Sequence, residues 1–501
     1  MNRQSKIHWP SFAYFFLAAM SSLYLFNEKP ARALQFLSYG YDNAFHFTLF
    51  RGLNETSWYP NVDPANWFTD LQLFTNVPLG YYALTSFISQ PFYFIHNNPT
   101  NTLIFFASFQ VFSIFLLIWL VFRVLTDPRI NKIPAKILNA LLSVVIVTCL
   151  ASTLLVNGFA PYFWSLIIIL IWLNFDSNNL VGWEKNLTLS LAIYSVTMIT
   201  PAPAAILIIV ALIIFTSEFL IIICTRKKIQ SLLNILPFMA IGGLCLWSFT
   251  KSSAGLGWRQ LLQHGGLQNI NLVTTIVLFL IVIVLLARNI KKSTNNMLAI
   301  IVISSLLSAG LLTLLTVGLT GNLQYYAIKQ IYLALFLSAI YAAKEFKSYS
   351  FKYFSYGILT MLMIVPILKP NFFTGGYMGV LPRVIAHTIE PSVWETEPVN
   401  AGQILNIEEL TQAKNTNCYV WYVKDGFTDL DLSSRWVNSL KSTDLVSTKC
   451  FSGYWNNVGL SDSELQRKLA NINANFVILT QKISIPTSTN NIKFEIVPIS
   501  K

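Results

Sequence analysis

Apolar runs separated by short polar connectors repeat along most of the chain. They lie near 11–26, 102–123, 136–155, 159–175, 186–200, 203–224, 231–249, 270–288, 296–318, 325–343 and 352–368. A helix needs about twenty apolar residues to cross a bilayer core, so the pattern predicts eleven membrane-crossing helices. A twelfth stretch, 78–95, is interrupted by Pro78, Tyr81, Tyr82, Ser86, Ser89, Gln90 and Pro91. That content suits a re-entrant or interfacial segment better than a lipid-facing helix.

Two regions break the pattern. Residues 27–77 form a polar, aromatic-rich stretch after the first apolar run, and beyond Lys369-Pro370 no spanning segment remains. In the second region 418–423 and 475–480 read as strands, and 433–440 and 463–472 as helices. Strands alternating with helices predict a small α/β domain. The fold class expected is therefore an α-helical polytopic membrane protein of about 11–12 transmembrane segments with a small C-terminal α/β extracytoplasmic domain. Its parts are a first transmembrane helix (1–26), an external loop with juxtamembrane helices (27–77), a multi-span domain (78–368) and the terminal domain (369–501).

Composition agrees with the pattern. Of 501 residues 54% are apolar and 11% charged, against about 25% charged in soluble domains. The net charge of +12 sits in short basic runs, 226–228, 288–292 and 344–347, between apolar segments. That is the positive-inside signature, and it argues against a nucleic-acid partner. These runs and the 123–136 connector read as cytoplasmic, so 27–77, 250–269, 319–324 and everything after the last span read as external. The forward and backward readings agree if 78–95 does not cross fully, or if one of the other span boundaries lies elsewhere. Of the five cysteines, Cys418 and Cys450 form the one pair in the polar terminal part, which an oxidising compartment would bridge. The others lie in apolar runs, and no spacing resembles a zinc site.

The chemistry concentrates in the first external stretch, which holds Asp42, Asp63, Asp70, His46 and Arg51. From Asp42 to Gly52 the pattern predicts a helix of about two and a half turns, which places Asp42 and His46 on one face. Asp42 also suits an N-cap, Arg51 the last turn, and Gly52 the stop. Asp63 precedes a proline and reads as turn chemistry, whereas Asp70 has no such local role. Trp58, Trp67, Tyr81 and Tyr82 serve equally as an interfacial belt or as a surface on which a sugar stacks. Lys329 lies inside the outer end of a span, where an ion is costly and marks function, or snorkels to the interface. Arg259 and His264 lie in the external 250–269 stretch.

A first span, a large external loop with an early Asp, a Pro-Leu-x-Tyr-Tyr lead-in to the next segment, many spans and a terminal external domain together resemble the GT-C superfamily of integral-membrane glycosyltransferases. The residues that carry the resemblance are Tyr41-Asp42-Asn43-Ala44-Phe45-His46 and Pro78-Leu79-Gly80-Tyr81-Tyr82. It implies a sugar donor on a polyprenyl phosphate, a glycan, lipid or protein acceptor on the outer face, and an acidic residue of the first loop as base. That role falls to Asp42, with Asp70 and His46 beside it. A carboxylate within reach of the acceptor hydroxyl takes its proton, while the leaving phosphate needs only positive charge. Lys329, Arg51, Arg259 and His264 are the candidates for that charge, with Tyr81 and Tyr82 as substrate contacts. One base and no identified nucleophile imply inversion at the anomeric carbon. The Asp-x-Asp pair that some members use is read as absent, so no cofactor is assigned, and a divalent metal is left open without a motif to support it.

Other classes fit less well. A polysaccharide ligase or polymerase is expected to carry its main external loop late among the spans. A transporter carries its ions mid-span, and a scaffold would work through the C-terminal domain alone. Low cysteine content and the lack of eukaryotic targeting signals point to a bacterial plasma membrane.

Overall fold

The computed structural model describes residues 9–38, 40, 42–56, 79–91, 98–126, 133–151, 154–155, 158–176, 182–224, 234–240, 242–244, 272–288, 297–321, 323–346, 399–414, 421–422, 430–440, 476–479 and 493–496. Helices dominate them. In chain order they are α1 (Trp9–Phe26), α2 (Pro30–Ser38), α3 (Asn43–Thr56), α4 (Gly80–Ser89), α5 (Pro99–Leu125), α6 (Ile133–Ile146), α7 (Ala160–Asp176), α8 (Trp183–Ile199), α9 (Pro201–Cys224), α10 (Leu272–Arg288), α11 (Met297–Thr320), α12 (Tyr325–Phe346), α13 (Ala401–Lys414) and α14 (Leu430–Leu440). Short strands β1 (Trp421–Tyr422), β2 (Phe476–Leu479) and β3 (Lys493–Ile496) pair in parallel in the order β1-β2-β3.

Among the described residues three helices are long and apolar enough to cross a membrane: Pro99–Leu125, Met297–Thr320 and Tyr326–Phe346. Ala13–Phe26, Ile133–Ile146, Ala160–Phe175, Pro201–Ser217 and Thr275–Arg288 are shorter apolar helices. The chain therefore has the elements of a membrane-inserted protein. Helix α4, by contrast, has 10 residues and spans about 15 Å, half of a bilayer core of about 30 Å. The 352–368 run and the 463–472 helix lie outside the described residues.

Contacts divide the chain into two compact units. One takes residues 1–75, 82–111 and 385–501, the other 76–81 and 112–384. In the first, α3 lies against α2 and α14, α13 joins α2 to α14, and α1 lies on α2. In the second, α12 packs against α11, α10, α9 and α6. From Ala327 to Ala343 every residue of α12 is buried. Helix α11 instead leaves Leu307, Leu311 and Leu314 exposed, a stripe at i, i+4, i+7 of the kind that lipid covers.

Two of the differences from the predicted boundaries have a physical cause in the packing or the backbone. Helix α3 does not stop at Gly52 but continues to Thr56. Leu49, Phe50, Arg51, Gly52 and Leu53 are all buried, and tertiary contact on every side outweighs the cost of about 1 kcal/mol of an interior glycine. The 136–155 span is not one uninterrupted α-helix, because α6 passes into a π-helical turn at Val147–Ala151. There Thr148 Oγ1 donates to the carbonyls of Val144, at 2.7 Å, and Val145, at 3.4 Å. Such back-bonding competes with the regular ladder.

Candidate functional site

Helix α3 packs against α2 and α14, and this places the two candidate side chains at its start, Asp42 and His46. The Asp42 carbonyl accepts the His46 backbone N–H at 2.9 Å, so Asp42 stands at the N-cap position and His46 one turn further on. Asp42 is half-buried and His46 is 8% exposed. The His46 Nδ1 pairs with the Tyr82 hydroxyl at 2.5 Å, and the two rings lie 5.7 Å apart at 34°. Tyr82 is fully buried on α4. The imidazole therefore has one nitrogen assigned to a phenol, which fixes the ring's orientation.

Further along the same helices, the Ser86 and Ser89 hydroxyls both donate to Asn54 Oδ1. Helices α3 and α4 thus meet along a polar seam, His46 against Tyr82 and Asn54 against the two serines. At the start of α3, Asn43 Nδ2 donates to the Leu37 carbonyl at 2.9 Å, one of the last carbonyls of α2 with no partner in its own helix. Gln110 Nε2 reaches Asn43 Oδ1 at 3.5 Å. Gln110 is 1% exposed, and its Oε1 has no hydrogen-bond partner among the described residues. A buried acceptor of this kind is left to water or ligand.

Arg51 is buried, and its Nη1 donates to the Ser439 carbonyl at 2.9 Å. The helix-dipole role read from the sequence belongs to another helix: Arg51 meets the last turn of α14, not its own. Around it Thr48 donates to Ser439 Oγ at 2.7 Å, and the Ser439 hydroxyl reaches the Ala44 carbonyl at 3.0 Å and that of Arg435 at 2.7 Å. Phe47 packs on Trp436 with centroids 5.8 Å apart, while Phe50 stacks on Phe105 and Phe106.

The other unit holds Lys329, which is 7% exposed. Its Nζ lies 3.8 Å from the Phe159 ring centroid, 5.1 Å from that of Tyr162 and 5.5 Å from that of Tyr326. Each such contact contributes roughly 0.5–2 kcal/mol. The ammonium points into aromatic walls inside the protein, and this placement is not the snorkelled one. Gln330 beside it donates to Ser308 Oγ at 2.8 Å, tying α12 to α11.

Tyr81 is fully buried next to Tyr82. Asp70, Arg259 and His264 lie outside the described residues, as do Asp63, Cys418 and Cys450. Among the described residues no group of three or more His, Cys, Asp or Glu is placed to hold a metal. Contrary to the absence expected, the chain carries one Asp-x-Asp spacing, Asp429-Leu430-Asp431.

Of the residues singled out from the sequence, Asp42, His46, Arg51, Tyr81, Tyr82 and Lys329 lie among the described residues, whereas Asn43, Gln110, Thr48 and Ser439, which join the hydrogen bonds around α3, are not singled out there. A glutamine inside the apolar 102–123 run is a signal for Gln110. Ser439 carries none, since its partner Thr48 is 391 residues away. Compared with family models, with curated proteins and with solved structures, the chain has no match in any of the three.

Proposed function

We propose that this chain is a GT-C-type membrane glycosyltransferase that moves a sugar from a polyprenyl-phosphate donor to an envelope glycan, lipid or protein acceptor with inversion. One observation carries the reading. The two separate stretches on which the resemblance rests, 41–46 and 78–82, meet through the hydrogen bond between His46 and Tyr82. A half-exposed carboxylate at Asp42, one turn from an imidazole of fixed orientation, is the arrangement a general base needs.

In this reading Asp42 takes the acceptor's proton and His46 orients the carboxylate or the acceptor. Asp70 is a supporting acid. The Lys329 ammonium meets the negative charge developing on the leaving lipid phosphate, with Arg259 and His264 as further cations. Enclosure by three rings supports this role, because charge stabilisation is strongest where water is excluded. The eleven or twelve spans and the α/β character of the external C-terminal domain belong to the same proposal, as does the bacterial plasma membrane. The three parallel strands support the α/β assignment, since parallel pairs require crossover connections.

The test is genetic and chemical. The gene is deleted in its host, envelope glycans and polyprenyl-linked intermediates are analysed, and wild type or Asp42→Asn is returned at equal protein level. The reading expects one sugar to vanish, its lipid-linked donor to accumulate, and only wild type to restore it.

A further inference from the structure

We infer that helix α14 of the C-terminal region is a positioning element for the base helix α3, and that Arg51 and Ser439 are positioning residues rather than substrate contacts. The inference rests on the transferase reading for what is positioned, and on the structure for the clamp itself.

Four residues of α3 at helical spacing, Ala44, Phe47, Thr48 and Arg51, all meet α14. Ala44 and Thr48 bond the Ser439 hydroxyl, Arg51 bonds the Ser439 carbonyl, and Phe47 packs on Trp436. Spacings of three, four and seven residues define one face, so this face is committed to α14. His46 lies off that face, towards Tyr82. Helix α14 ends at Leu440, so the Ser439 carbonyl belongs to its last turn, where carbonyls lack intrahelical partners and a cation suits the dipole. Arg51 supplies both the donor and the charge. Trp436 and Ser439 are buried, so the α14 side of the joint is shielded from water. A guanidinium spent on this carbonyl inside a closed joint acts on the substrate only through the position of α3, and Asp42 and His46 occupy the first turn of that helix.

The test separates positioning from substrate contact. In the full-length chain with its five cysteines replaced by alanine, Thr48→Cys and Ser439→Cys are introduced, with and without Arg51→Leu. The two Oγ atoms are 2.7 Å apart, close enough for sulfur atoms at these positions to form a bond of about 2.05 Å. Membranes are oxidised, the cross-link is read on non-reducing gels after cleavage at a protease site inserted between residues 225 and 230, and the glycan lost on deletion is measured. We expect the cross-link to form in both backgrounds, which also shows that Arg51→Leu folds. Reduced Arg51→Leu should make at least about tenfold less glycan, the scale of a small misplacement of a reacting group. Oxidation should restore most of it, and reductant should remove the rescue. Absence of the cross-link would overturn the inference, and so would a cross-link without rescue, which would make Arg51 a substrate ligand. Asp42→Asn in the same membranes judges the transferase reading separately: full glycan there sinks that reading while the cross-link and rescue still decide the clamp.

Discussion

Removing the Tyr82 hydroxyl probes the joint between the two halves of the proposed site. Tyr82→Phe keeps the ring, which is fully buried, and deprives His46 Nδ1 of the partner it holds at 2.5 Å. A made hydrogen bond contributes about 1 kcal/mol net, but a buried polar group left unsatisfied costs about 1–3 kcal/mol. His46 is 8% exposed, so water does not take over, and the expected loss of stability is about 1–3 kcal/mol. His46→Phe removes the same bond from the other side and should cost a similar amount. Both single variants lose the one shared bond, so the double variant should be less damaged than the sum, with a coupling of about 1–3 kcal/mol. SDS titration of the solubilised protein measures the three unfolding free energies. If His46 also orients the base, Tyr82→Phe lowers glycan output by about tenfold, the equivalent of about 1.4 kcal/mol in the barrier. Effects that add to within about 0.5 kcal/mol would refute the coupling, and with it the claim that these two stretches form one site.

Two further substitutions test other parts of the account. Gly80→Ala normally favours a helix by about 0.5–1 kcal/mol, but here the new Cβ would lie 2.6 Å from the Met198 carbonyl oxygen. A backbone clash of that kind costs about 1–3 kcal/mol, so the variant should be less stable than wild type in the same SDS titration; equal or greater stability would mean the close approach is absent. Lys329→Met should abolish glycan synthesis while leaving protein accumulation unchanged or raised, because an apolar side chain of similar volume replaces a buried charge at little cost. Quantitative blotting beside glycan analysis checks it, and retained synthesis would remove Lys329 from the phosphate site.

Much of this architecture is written in local patterns. The apolar runs marked the described long helices, 433–440 falls within α14, and 418–423 and 475–480 contain β1 and β2. What escaped has particular reasons. Helix α2 sits in the stretch read as loop, although Pro30 at its first turn and buried Ala33, Leu34 and Leu37 form a short helical stripe. Helix α13 has Asn400 before it, whose Oδ1 accepts the Gln403 N–H at 2.9 Å, a cap legible only once a helix is suspected there. Strand β3 is four residues long with two charges, too short for alternation to signal. Asp42 and His46 could be paired because a helix brings residues four apart together. The partnership of Arg51 with Ser439 has no sequence period, and only the fold discloses it.

The most direct test of the central claim is complementation of the deletion strain with Asp42→Asn. Asparagine keeps the side-chain shape and the capping ability of aspartate but is no base at neutral pH. At wild-type protein level, the account predicts that the missing envelope sugar stays absent and its polyprenyl-linked donor still accumulates. Full return of the sugar with Asp42→Asn would contradict it, leaving Asp42 a helix cap and placing the activity elsewhere in the chain.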